Sequence, residues 1–151
     1  MTVGVISDTH GLLRREALDA LRGSDAILHA GDIGSRDVLE GLGELAPVFA
    51  VRGNIDAARW ARTLHGVQAL TFESTCIYLL HDLHQLDLDP AVAGINAVVH
   101  GHSHRPTMEW KAGVLYFNPG SAGPRRFKLP VTVGQFVIEG ASLKPEIIDI
   151  L

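Results

Sequence analysis

Thr2-Val3-Gly4-Val5-Ile6-Ser7-Asp8-Thr9-His10-Gly11 opens the chain with a β-branched apolar run that breaks at an aspartate and a histidine. A short run of this kind reads as a strand buried on both faces that feeds a loop. The same pattern returns twice. Ala26 to Ala30 is apolar and ends in Gly31-Asp32, and Pro47 to Val51 ends in Gly53-Asn54. Between these runs, Leu13, Ala17, Leu18 and Leu21 keep helical spacing until Gly23. Val38, Leu39, Leu42 and Leu45 keep it behind a candidate N-cap at Ser35. Strand, helix, strand, helix, strand implies parallel strands joined by crossover helices.

The second half is richer in strands. Val67 to Phe72 and Cys76 to Leu80 form a pair turning at Glu73-Ser74-Thr75, and a helical patch is expected from Leu86 to Ala93. Ala97 to His100 runs into Gly101-His102-Ser103-His104, and Val114 to Asn118 into Pro119-Gly120-Ser121. Val131 to Ile138 and Leu143 to Ile150 close the chain as a hairpin near Gly140. Nine strands in 151 residues are too many for one open sheet, so two are expected. The reading is an α/β fold, a two-sheet β-sandwich flanked by helices. Parallel strands come mainly from the first half and antiparallel ones from the second. Residues 1–151 fit one domain, without repeats or a linker.

Composition narrows the function. Hydrophobic residues make up 46% and charged residues 20%, a globular balance, and no run is long and apolar enough to span a bilayer. The N-terminus lacks a basic region and soon meets Asp8, so it is expected to be a core strand and not a signal peptide. Cys76 is the only cysteine and has no internal disulfide partner, which suits a reducing cytoplasm. A net charge of -4 weighs against nucleic acid as a partner. Arg14, Arg15, Arg36, Arg59 and Arg62 read as solvated helix faces, and Arg125 and Arg126 as exposed. Association into a homo-oligomer stays open.

Five breaks carry the chemistry: Asp8-Thr9-His10, Gly31-Asp32, Gly53-Asn54, His81-Asp82 and Gly101-His102-Ser103-His104. Loops at the C-terminal ends of strands are where sites gather in open α/β sheets. Asp8, His10, Asp32, Asn54, His81, His102 and His104 would converge there. This set of oxygen and imidazole ligands without thiolate suits Mn, Fe, Zn, Co or Ni. Seven ligands exceed one tetrahedral site and suit two ions sharing a carboxylate. In Asp8-x-His10 and His102-x-His104 the alternation of an extended chain would turn both side chains to one side. Singly, Asp8 and Asp32 would be capping residues, Asn54 a turn residue and His81 a core histidine. The joint pattern turns them into ligands. His29 and His100 read as structural, and His65 as solvated. His84 reads as a surface residue, with an inward turn toward the site as the alternative. Asn118 to Ser121 is turn chemistry or a rim beneath the metal loops.

In this order, Asp8-x-His10, Gly31-Asp32, Gly53-Asn54-x-Asp56, His81, Gly101-His102-x-His104 and Asn118-Pro119-Gly120-Ser121 resemble the calcineurin-like metallophosphoesterases, above all their small bacterial and archaeal branch. The resemblance covers nearly the whole chain. It implies a four-layer αββα architecture and two divalent ions, manganese first among them. Asp8, His10 and His104 would hold one ion, Asn54, His81 and His102 the other, and Asp32 would bridge. Asp32, Asn54 and His102 are the expected catalytic residues. The implied activity is hydrolysis of a small phosphoester, a diester rather than a monoester, by in-line attack of a metal-bridging hydroxide. A catalytically weak protein-interaction scaffold of the same fold is the alternative, and a single-metal hydrolase a second. Two positions depart from the family. Ile55 stands where many members carry a proton-donating histidine, and Asp82 where glycine is common.

Overall fold

A computed structural model describes residues 1–151. The elements run β1 (Thr2–Ile6), α1 (Arg15–Leu21), β2 (Ala26–His29), α2 (Arg36–Gly43), β3 (Val48–Ala50), β4 (Val67–Phe72), β5 (Thr75–Leu80), β6 (Ala97–Val99), β7 (Thr107–Lys111), β8 (Val114–Asn118), β9 (Thr132–Glu139) and β10 (Ser142–Asp149). They build two five-stranded sheets, ordered β10-β9-β1-β2-β3 and β4-β5-β6-β8-β7.

Alternation along the strands sorts side chains into layers. Val3, Val5, Leu28, Ile77, Leu79, Val99, Leu115, Phe117 and Phe136 meet between the sheets as the main core. On the outer face of the first sheet, Ile6, Ile27 and Val133 pack with Ala17 and Leu21 of α1 and Val38 and Leu42 of α2. Outside the second sheet, Leu80, Val98 and Val114 are covered by Ile95 and the half-buried Leu83 and Leu86.

Three expectations change, and a fourth holds in position only. The patch from Leu86 to Ala93 is no α-helix: a 3-10 turn covers Leu83–Gln85, and Pro90 starts a separate turn. Proline inside the stretch removes a donor a helix would need. The second sheet is more parallel than expected, because β5, β6 and β8 run parallel with antiparallel strands only at its edges. Long crossovers link those three strands, and parallel pairing requires them. A tenth strand, β7, lies at the edge of that sheet. Ser35 occupies the N-cap position of α2 without a side-chain capping bond.

Candidate metal centre

Each of the five breaks lies just past the C-terminal end of a parallel strand: β1, β2, β3, β5 and β6. The loops are zipped together by the backbone. Asp8 N–H donates to Gly31 O (3.0 Å), His10 N–H to Asp32 O (2.9 Å), and Gly101 N–H to His81 O (3.0 Å).

Five of the seven candidate ligands hold left-handed backbone: Asp8 (φ 55°), His10 (48°), Asp32 (54°), His102 (72°) and His104 (63°). None is glycine, so each costs on the order of 1 kcal/mol or more. Such strain persists only where the surroundings over-determine it, and here it is concentrated at one site. It also corrects the extended-chain reading of Asp8-x-His10 and His102-x-His104. The members of each pair converge because left-handed loop residues turn them inward, not because a strand alternates.

The side chains form two groups. Asp8, His10 and His104 offer ligand atoms within 4.8 Å of one another, as do Asp32, His81 and His102. Asp8 Oδ1 lies 3.3 Å from His104 Nε2 and 3.8 Å from His10 Nε2, buried and without a hydrogen-bond donor. Its other oxygen accepts from Ser7 Oγ (2.6 Å) and His102 N–H (3.1 Å). Asp32 Oδ2 sits between the groups, 3.3 Å from His81 Nε2 and 3.6 Å from His10 Nε2. Its Oδ1 accepts from Ile55 N–H at 3.1 Å. His81 donates Nδ1–H to Ala30 O at 2.7 Å, which leaves a lone pair on the Nε2 that faces the site. The Asn54 side-chain amide lies among acceptors, 3.0 Å from His81 Nε2 and 3.2 Å from both Asp32 oxygens, where its NH2 can donate.

Electrostatics follow from this crowding. Burial pushes the Asp8 carboxyl up, but the neighbouring His10 and His104 imidazoles, the hydrogen bond from Ser7 and the charge of His81 outweigh it, leaving Asp8 well below the usual range. Burial likewise opposes ionisation of Asp32, and contacts with His81 and the Ile55 N–H bring it down. Burial disfavours the His81 cation, yet its bond to Asp32 and the charge of Asp8 raise it. Two ionised carboxylates, a side-chain amide and imidazole nitrogens all face one space. An orphaned buried Asp8 oxygen beside two groups of converging carboxylate and imidazole atoms is what divalent cations would satisfy, so the residues fit two such ions.

Several supports surround the ligands; in the sequence, Asn118 to Ser121 reads as turn chemistry or a rim, and Asp56 as part of a motif without a role. Asp56 is buried and accepts from Ile33 N–H (3.1 Å) and Gly53 N–H (2.9 Å) through Oδ2 and from Gly34 N–H (3.1 Å) through Oδ1. Asn118 donates to Gly101 O (3.0 Å) and Ser103 Oγ (3.1 Å), and Ser121 Oγ donates to Asp8 O (2.9 Å). The segment from Asn118 to Ser121 is therefore a rim beneath the metal loops. A Cβ on Gly53 would collide with the Asp32 carboxylate, which explains glycine there. His84 is held by Asp82 at 3.1 Å with its side chain 95% exposed and does not turn inward. His65 is exposed, while His29 and His100 are buried, and burial pushes both down to about 4.

A cleft of about 280 Å³ opens beside the second group, lined by Arg52, Asn54, Asp82, Gln85 and His102 among others, with no hydrophobic residue.

The calcineurin-like phosphoesterase superfamily domain matches residues 1–140. The chain belongs to that superfamily. It is 34% identical to a probable metallophosphoesterase of Methanothermobacter thermautotrophicus, over 98% of this chain and 92% of the relative. It is 31% identical to phosphodiesterase YfcE of Escherichia coli, over 85% of this chain and 83% of the relative. Among solved structures, vacuolar protein sorting 29 from Cryptosporidium parvum superposes with a TM-score of 0.85 at 19% identity, covering 99% of this chain and 91% of that one. The fold is thus that of the metallophosphoesterases, with phosphodiesterases among the relatives of this phosphoesterase-family chain. No helix is long and apolar enough to cross a membrane.

Proposed function

We propose that this phosphoesterase-family protein hydrolyses small phosphodiesters with two divalent metal ions, manganese first, as a single-domain cytoplasmic enzyme. One observation carries the reading: Asp32 lies between two ligand groups, Asp8-His10-His104 and His81-His102, with the Asn54 amide beside it. Bound there, the ions supply an activated water for in-line attack and offset charge on the phosphoryl oxygens.

The protein's own part is placement. Asp8, His10 and His104 would hold one ion, Asn54, His81 and His102 the other, and Asp32 both. The Ile55 N–H and the Ala30 carbonyl fix the orientations of Asp32 and His81. No nucleophilic side chain is required. Arg52 lines the cleft and forms no ion pair, so its guanidinium is free to meet a phosphoryl anion.

The test is metal content of the reconstituted protein together with hydrolysis of a chromogenic diester. Two ions per chain and turnover are expected, with Asp32→Ala losing at least one ion and nearly all activity. Full activity of that variant with two ions bound would sink the assignment. Two ions without turnover on any phosphoester would favour an interaction scaffold.

A further inference from the structure

The two sheets do not cover each other completely. In the β7–β8 hairpin Met108 pairs with Phe117 and Trp110 with Leu115. Directly paired residues of an antiparallel ladder project to the same face. Phe117 and Leu115 belong to the core between the sheets, so Met108 and Trp110 face that same interior side. Yet they are 47% and 57% exposed. The opposing edge strand β10 fails to close over them, and its own inward Leu143 and Ile147 are only partly buried. The core layer therefore runs out past its roof along β7, an unpaired edge.

Backbone and charge select the partner. Ala112-Gly113 forms a two-residue loop with both φ positive (51° and 78°), the hairpin type that makes Lys111 and Val114 a hydrogen-bonded pair. Bonding alternates along an antiparallel ladder, so Glu109 also bonds inward to β8, whereas the N–H and C=O of Met108 and Trp110 point outward. An antiparallel copy of β7 centred on Trp110 would match the outward N–H and C=O of Trp110 with those of its counterpart. It would set Trp110 opposite Trp110 and Glu109 opposite Lys111 twice. A copy centred on Glu109 also satisfies the backbone but sets Glu109 against Glu109. The strand is self-complementary in one register.

We propose that this chain pairs with a second copy of itself through β7, joining the two β4-β5-β6-β8-β7 sheets across a two-fold axis at Trp110. Glu109 and Lys111 already lie 3.4 Å apart within the strand, and the occupant is a second copy because under that symmetry each also meets the opposite charge across the axis. The metal loops lie beyond the strand ends, so both clefts stay open, and the proposal is independent of the assigned chemistry.

Sedimentation equilibrium of the full chain over a range of concentrations tests it. A reversible dimer is expected. Trp110→Ala, at an exposed position that leaves the fold intact by circular dichroism, should yield monomer. Lys111→Glu should weaken association by about tenfold or more, because opposed like charges replace both pairs. Adding Glu109→Lys to Lys111→Glu should restore it. A monomeric wild type up to millimolar concentration would overturn the proposal, as would a dimer indifferent to Trp110→Ala. A dimer that weakens in the single charge variant but is not rescued in the double would overturn the register.

Discussion

Ile55 follows Asn54 with its side chain 46% exposed, while its N–H donates to Asp32 Oδ1 at 3.1 Å. The backbone of this residue serves the central carboxylate, and its side chain has no proton to give. His84 offers no substitute. His84 is tied to Asp82 in solvent and is absent from the cleft wall. Protonation of a leaving oxygen by a positioned acid is worth typically about 10²–10⁴-fold, and most when the departing alkoxide is basic. Aryl phosphodiesters should therefore turn over well, with rates falling steeply as leaving-group pKa rises. Ile55→His should flatten that slope by accelerating the poor leaving groups. Single-turnover rates across a graded ester series measure it. A flat dependence in the wild type, unchanged in His84→Ala, would show that an acid exists elsewhere.

The loops that follow β2 and β3 are joined by one carboxylate. Asp56 accepts from Ile33, Gly34 and Gly53 and so fixes Asp32 and Asn54 relative to each other. Removing it would leave three N–H groups without their acceptor, at about 1–3 kcal/mol for each that stays buried. Asp56→Ala is expected to lower unfolding stability by about 3 kcal/mol or more and to weaken metal binding at the second group. Asp56→Asn, which keeps one acceptor oxygen, should fall between. Urea unfolding and a metal titration check this, and an unchanged midpoint would refute it. The order of β1 to β3, both helices and every candidate ligand could be read from apolar runs breaking at Asp, Asn or His. Strand β7 could not, although Met108 and Trp110 alternate with Glu109 and Lys111, because an edge strand between Pro106 and a tight turn lacks the apolar run that marks the others. Nor was the left-handed backbone at Asp8, His10, Asp32, His102 and His104 legible. Local sequence favours other conformations there, and hydrogen bonds from loops distant in sequence impose it.

Across the whole molecule the two sheets meet their loops through buried polar groups, and folding stability depends on keeping those groups in one protonation state. His29, at the end of β2, is fully buried. Its Nδ1 accepts from Gly31 N–H at 3.1 Å, so its proton rests on Nε2 and is donated to Thr9 Oγ1 at 3.0 Å. Thr9 in turn donates to Ile33 O at 2.7 Å. A second proton would remove the acceptor that Gly31 needs and place a charge in the interior. Burial accordingly holds His29 down to about 4, against 6.5 for the ordinary side chain. Above pH 6.5 both folded and unfolded chains carry it neutral and it costs nothing. Between 6.5 and 4 only the unfolded chain takes up the proton, so stability falls by up to about 1.4 kcal/mol per pH unit. Below 4 both states are protonated and a loss of about 3 kcal/mol is complete. Urea unfolding of metal-free protein from pH 8 to pH 4, for wild type and His29→Gln, isolates this residue because every other titrating group is shared. The wild type should be the more stable at pH 8, and the gap should shrink by about 3 kcal/mol on acidification. A gap that stays constant with pH would show that His29 accommodates its charge in the folded state.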